Sequence, residues 1–137
     1  MSRLLLALGV FCAIAAAQSG PTIKKAIIPP TNASSGEEMF VTYCAACHGK
    51  DARGGGPAAA ALKTPPANLT QLAAKNNGKY PEVKVLAALS GGTVIAHGTT
   101  DMPVWGDLLR SYDGGNRSVI QLRLSNLTKY IGSLQAK

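Results

Sequence analysis

Cys44-Ala45-Ala46-Cys47-His48 is the stretch around which this 137-residue chain is organised. On a helix, Cys44 and Cys47 stand three residues apart and Cys44 and His48 four. Two thiols and an imidazole therefore project from one helical face.

Three kinds of chemistry use thiols at this spacing. A zinc site needs four ligands, and outside the cluster the chain offers only Cys12 and His97. A thioredoxin-type dithiol sits in a βαβ pattern, and no such alternation is present. The third reading fits. Two thiols on one face can add to the two vinyl groups of one porphyrin, and the histidine that follows then lies under the iron. This is the attachment signature of a c-type haem.

The start of the chain bears on that reading. Met1-Ser2-Arg3 is followed by 14 uncharged, mostly apolar residues, Leu4 to Ala17, ending on Ala15-Ala16-Ala17. A basic start, a short apolar run and an A-x-A site describe a secretory signal peptide, with cleavage after Ala17. The alternative is a retained membrane anchor, although a spanning helix needs roughly 20 residues. Phe11 before Cys12 argues against a lipoprotein site, which wants a small residue there. Cleavage leaves Cys44 and Cys47 as the only cysteines, and 13 Lys and Arg against 7 Asp and Glu, net +6. No spare cysteine suits thioethers in an exported protein and not a disulfide framework. The remaining 120 residues make one domain. They hold few aromatics and many glycines and prolines, a composition for which a buried porphyrin would supply apolar volume. The basic balance suits an acidic docking partner or an anionic surface, and equally mere solubility. Nothing resembles a nucleic-acid module.

Residues 18–35, broken by Pro21, Pro29 and Pro30, read as an extended linker, and 36–137 as the domain. Ser35-Gly36-Glu37-Glu38 fits a capping box, with Glu38 reaching back. The helix it opens runs to about Cys47, with Gly36, Phe40 and Cys44 on one face; Gly36 there suggests a close helix crossing. Gly54-Gly55-Gly56-Pro57 lacks the frame of a phosphate loop and reads as backbone packed against a flat ligand. Ala58 to Leu62 forms a helical turn. Asn68 caps a short helix from Leu69 to about Lys75, ended at Asn76-Asn77-Gly78. Pro81-Glu82 opens another, with Val83, Leu86, Ala87 and Leu89 inward, closed by Gly91-Gly92. Thr93 to Trp105 is irregular. From about Asn116 to Gln135 a last helix carries Ile120, Leu124, Leu127, Ile131 and Leu134 as an apolar stripe.

A six-coordinate iron needs a ligand opposite His48. Met102, followed by the rigid Pro103, is the methionine free to reach the far side. Met39 precedes the cysteines in the first helix, and Met1 leaves with the signal. Met/His ligation raises the potential relative to two histidines. His97 is the rival, and propionate contact or a bystander role suits it better.

At this point the chain resembles the class I c-type cytochromes, the small single-haem bacterial kind. Gly36-x3-Phe40-x3-Cys44-Ala-Ala-Cys47-His48-Gly49, Gly56-Pro57, Met102-Pro103-Val104-Trp105-Gly106 and Leu127-Thr-Lys-Tyr130-Ile131 carry the resemblance. It implies an all-α cytochrome c fold with N- and C-terminal helices crossing, where Gly36 and Phe40 meet Leu127 and Tyr130, and shorter helices and loops wrapped around one haem. It implies thioethers from Cys44 and Cys47, iron held by His48 and Met102, the Pro57 carbonyl accepting the other ring N–H of His48, and Trp105 beside the haem near a propionate. Arg53, Lys63 and His97 are the candidate propionate partners.

The function expected is that of a periplasmic or secreted one-electron carrier, not an enzyme, passing electrons between redox partner proteins. Two alternatives stand beside it: a haem-bearing subunit of a larger oxidoreductase, and a haem enzyme or gas sensor with an open sixth position. Membrane association would come through a partner or an uncleaved N-terminus.

Overall fold

Ser35 starts the first helix. Its hydroxyl accepts the Glu38 N–H at 3.1 Å, which satisfies one of the amides a helix start leaves unpaired. The reciprocal half of the expected capping box does not form. The Ser35 amide already donates to the Asn32 carbonyl at 3.1 Å, so Glu38 has no amide to reach back to. The computed structural model describes residues 29–91 and 102–136, and every regular element among these is helical. The expected signal segment, most of the expected linker, and His97 lie outside the described residues.

Helix α1 is continuous but not uniform. It is α-helical over Gly36–Met39, takes a π turn over Phe40–Cys44, and is α-helical again over Ala45–His48. In the π turn the Ala45 N–H reaches back five residues to the Phe40 carbonyl. Helix α2 is Glu82–Ser90, α3 is Trp105–Tyr112 and α4 is Arg117–Ser133. Between α1 and α2 lie three single 3-10 turns, Ala59–Ala61, Leu69–Gln71 and Ala74–Asn76.

The first half of α1 crosses α4. A methyl group on Gly36 would run into the Asn126 carbonyl oxygen and Tyr130 Cβ, so the close approach admits only glycine. One turn on, Phe40 is fully buried, its ring 5.5 Å from that of Tyr130 and tilted 49° to it. Burying such a side chain stabilises by roughly 1.5–3 kcal/mol. The expected stripe on α4 holds: Ile120, Leu124, Leu127 and Ile131 are buried, and Leu134 packs against them. Asn116 caps α4 by accepting from the Val119 N–H at 3.3 Å.

Three elements differ from the sequence reading. Residues 69–75 make two 3-10 turns, not one helix, because the Gln135 side chain intervenes. Its Nε2 donates to the Leu69 carbonyl at 2.8 Å and its Oε1 accepts the Ala73 N–H at 2.8 Å. Those are the two groups an α-helix would join to each other. On α2, Val83 is 80% exposed, and Val85 with Leu86 and Leu89 faces the core. Val83 stands two residues from Val85, roughly 200° around the helix. Helix α3 has no counterpart among the elements expected from sequence, although Trp105 and Leu109, both buried and four residues apart, carry its apolar face.

A buried arginine ties the parts together. Arg123, 5% exposed, donates from Nε to the Asp113 carboxylate at 2.9 Å. From Nη1 it reaches the Thr31 carbonyl and hydroxyl, each at 2.9 Å, and its guanidinium lies over the Tyr112 ring. Asn126 donates to the Ala33 carbonyl at 3.0 Å. Residues 29–35 are thereby bonded to the domain. The sequence signal for Arg123 is faint, since it reads as an ordinary helix-surface arginine.

Candidate functional site

The π turn decides where the cluster points. One extra residue in a turn delays the helix by roughly 100° for everything that follows. Gly36 and Phe40 can therefore face α4 while Cys44, Cys47 and His48 face elsewhere. Where they face is a crevice of two connected compartments, with volumes of about 210 Å³ and 170 Å³. Cys44, His48 and Met102 line both of them. The larger continues along Leu69, Leu72, Val85 and Leu89, and the smaller along Cys47, Leu62, Pro66 and Trp105. The lining thus combines thiols, an imidazole and a thioether with mostly apolar flanks.

His48 is held ready as a ligand. It is buried, and its Nδ1–H donates to the Ala67 carbonyl at 3.0 Å. A carbonyl can only accept, so Nδ1 carries the proton and Nε2 keeps its lone pair, the arrangement a metal-ligating histidine needs. Burial lowers the pKa of the ring, opposed by the bond to Ala67. The imidazole is therefore neutral at ordinary pH.

The carbonyl here is not the expected one. Pro57 is exposed. The glycine stretch before it folds straight back onto the end of α1, where Gly54 N–H bonds the His48 carbonyl at 2.7 Å, Gly56 N–H the Cys47 carbonyl at 3.0 Å and Ala58 N–H the Ala46 carbonyl at 2.8 Å. A methyl group on Gly56 would meet the Ala45 and Ala46 carbonyls. The stretch is thus packed against protein backbone, and not against a flat ligand as its composition suggested. The next segment returns to the ring, pinned by the Leu69 N–H to the Ala52 carbonyl at 2.8 Å and by Asn68, which caps the turn over Thr70 N–H at 3.0 Å. Ala67 arrives beside His48 as a result. Its role has no side-chain signal; Pro65-Pro66 and the Asn68 cap were the only hints of an ordered turn there.

The two thiols are unpaired. Burial, with Cys47 nearby, pushes the Cys44 thiol up to about 12, so it is protonated and not poised as a thiolate redox centre. Among the described residues no three His, Cys, Asp or Glu side chains assemble into a metal site. Trp105 stacks on Tyr43 with ring centroids 5.1 Å apart. The Tyr43 hydroxyl donates to the Pro29 carbonyl at 2.8 Å and bonds the Thr31 hydroxyl at 2.8 Å. Trp105 is held in this way from the Arg123 hub.

Comparison with known families supplies the deciding observation: the family model described as cytochrome c oxidase, cbb3-type, subunit III matches residues 31–113. The chain belongs to this family of single-haem cytochrome c domains. No curated protein and no solved structure matches it. For a cytochrome c domain the crevice has an obvious tenant, one haem c bound covalently through Cys44 and Cys47. The residues present fit it, with two free thiols and a neutral imidazole on one wall and apolar flanks beyond. The helical architecture with α1 against α4 is that of the cytochrome c fold, and the family's chemistry is haem-based electron transfer.

Proposed function

We propose that this cytochrome c is a one-electron carrier whose iron is held by His48 and Met102. The observation that carries the reading is that Cys44, His48 and Met102 line both halves of one crevice. The haem supplies the Fe(III)/Fe(II) couple. His48 offers Nε2, because Ala67 takes the Nδ1 proton. Met102 would offer a neutral thioether as the second ligand, which would leave no position for oxygen, peroxide or carbon monoxide. Trp105 and the leucines exclude water from the haem faces. With His48 and Met102 both holding the iron, the ligand set would stay the same in the two redox states, and the protein would act as carrier and not as catalyst.

A second reading is favoured by the family description, which is that of an oxidase subunit. On this reading the chain is the haem-bearing subunit of a larger oxidoreductase. Both readings place it outside the cytoplasm, in the periplasm or secreted, after cleavage at Ala17 or held by an uncleaved start. No helix among the described residues is long and apolar enough to cross a membrane. The net +6 of residues 18–137 favours a redox partner that presents an acidic docking face.

A redox titration followed by absorption tests the carrier reading. It should show one reversible one-electron step per chain, unchanged in the presence of carbon monoxide. A reduced form that takes up carbon monoxide quickly would make the protein a haem enzyme or sensor. Copurification from the native membrane with oxidase subunits would select the second reading.

A further inference from the structure

The two compartments differ in charge. Among the described residues, no titratable cation apart from His48 lines the smaller one, whereas Lys75 and Lys84 stand on the lining of the larger. Lys75 comes from the turn Ala74–Asn76 and Lys84 from the first turn of α2. Neither takes part in an ion pair among the described residues, where the two pairs are Arg110–Asp107 and Arg123–Asp113. Both are exposed. Each can lay its aliphatic stem on apolar lining and keep its ammonium at the rim. Asn76 also lines this compartment, but its amide is committed to the Lys79 carbonyl at 2.7 Å.

A haem has one anionic edge, where its two propionates lie, and the vinyl-bearing side that the cysteines hold is across the ring from it. Cys47 lines the smaller compartment and not the larger. We propose that Lys75 and Lys84 form the cationic rim that faces the haem propionates. Of the residues that sequence alone suggested, two are absent from both linings. Arg53 and Lys63 line neither compartment, and His97 is outside the described residues. Trp105 then belongs to the thioether side and not beside a propionate. The rim would neutralise the anionic edge and, by placing positive charge near the iron, favour Fe(II) over Fe(III).

The inference rests on the attached haem, not on Met102 as ligand, so the two stand or fall separately. The test uses the full haem-loaded protein and compares midpoint potentials of wild type, Lys75→Gln, Lys84→Gln, Lys75→Glu, Lys84→Glu and, as control, Arg53→Gln. Each side chain is exposed, and unchanged helical circular dichroism confirms folding. The expected result is a lower potential in a lysine→glutamine variant, a further drop with glutamate, a shift that shrinks with added salt, and no change for Arg53→Gln. Redox-difference infrared spectra should show the propionate carboxylate bands moving in the same variants. A shift at either lysine supports the rim. Potentials unmoved in all four lysine variants, or moved as far by Arg53→Gln, would overturn it.

Discussion

The two walls of the crevice are built differently. The His48 wall is held by backbone hydrogen bonds: Gly54, Gly56 and Ala58 return to the end of α1, and the Ala67 carbonyl fixes the imidazole. Over Met102–Trp105, another described segment that lines the crevice, the hold comes from side-chain packing, with Trp105 stacked on Tyr43 and Tyr43 bonded to residues 29–31. Backbone bonds make the attachment wall a fixed template on which haem can be added. The other wall depends on a tertiary network that converges on Arg123.

The largest effect should come from breaking that network. Arg123→Met leaves the Asp113 carboxylate, itself buried beside it, without a partner. Removing one member of a buried pair costs about 3–5 kcal/mol. Chemical denaturation should show this loss, and Trp105 fluorescence should change before the helical signal is lost. If the walls are as different as described, His48 stays bound to iron in this variant.

The attachment wall can be tested within one glycine triplet. Gly56→Ala pushes a methyl group into the Ala45 and Ala46 carbonyls, and overpacking of this kind costs about 1–3 kcal/mol. Gly55 has nothing near the position a methyl would take, so Gly55→Ala should stay within about 0.5 kcal/mol of wild type. Equal effects at the two positions, by thermal melting, would remove the claim that this loop is packed on α1.

Tyr80, adjacent to the crevice-lining Pro81, gives a smaller effect than Arg123 or Gly56. Its hydroxyl donates to the Thr128 carbonyl at 2.8 Å, and burial, with Glu82 nearby, raises its pKa above that of an ordinary phenol. Tyr80→Phe should cost about 1 kcal/mol at neutral pH. The sign of the pH dependence follows from the raised pKa. The folded protein holds the phenol proton more tightly than the unfolded chain. The contribution is therefore complete below the unfolded value and is lost as pH rises through the folded one. Denaturation midpoints of wild type and Tyr80→Phe should converge in strongly alkaline solution, from about pH 10 upwards.

Local chemistry was what the sequence made legible. The Cys44–His48 motif, the Ser35 and Asn68 caps, the Ile120–Ile131 stripe and the demand for glycine at position 36 all depend on residues close together in the chain or on one face. What escaped depends on distant partners or on groups every residue owns. The π turn at Phe40–Cys44 settles a conflict between two packing faces, which no spacing of four reveals. Ala67 acts through a carbonyl. Gln135 breaks a helix more than sixty residues away in sequence, and Arg123 is buried only because Thr31 and Asp113 come to it. Helix α3 could have been read, from Trp105, Leu109 and Tyr112.

Met102, on the function proposed, closes the crevice as the second ligand beside His48. Absorption of the oxidised haem-loaded protein at long wavelength tests it directly, against Met102→Ala. The wild type should show the weak band of an iron–methionine bond, the variant should lose it with haem still covalently bound, and only the reduced variant should take up carbon monoxide. A wild-type protein that lacks the band and binds carbon monoxide rapidly when reduced would contradict it.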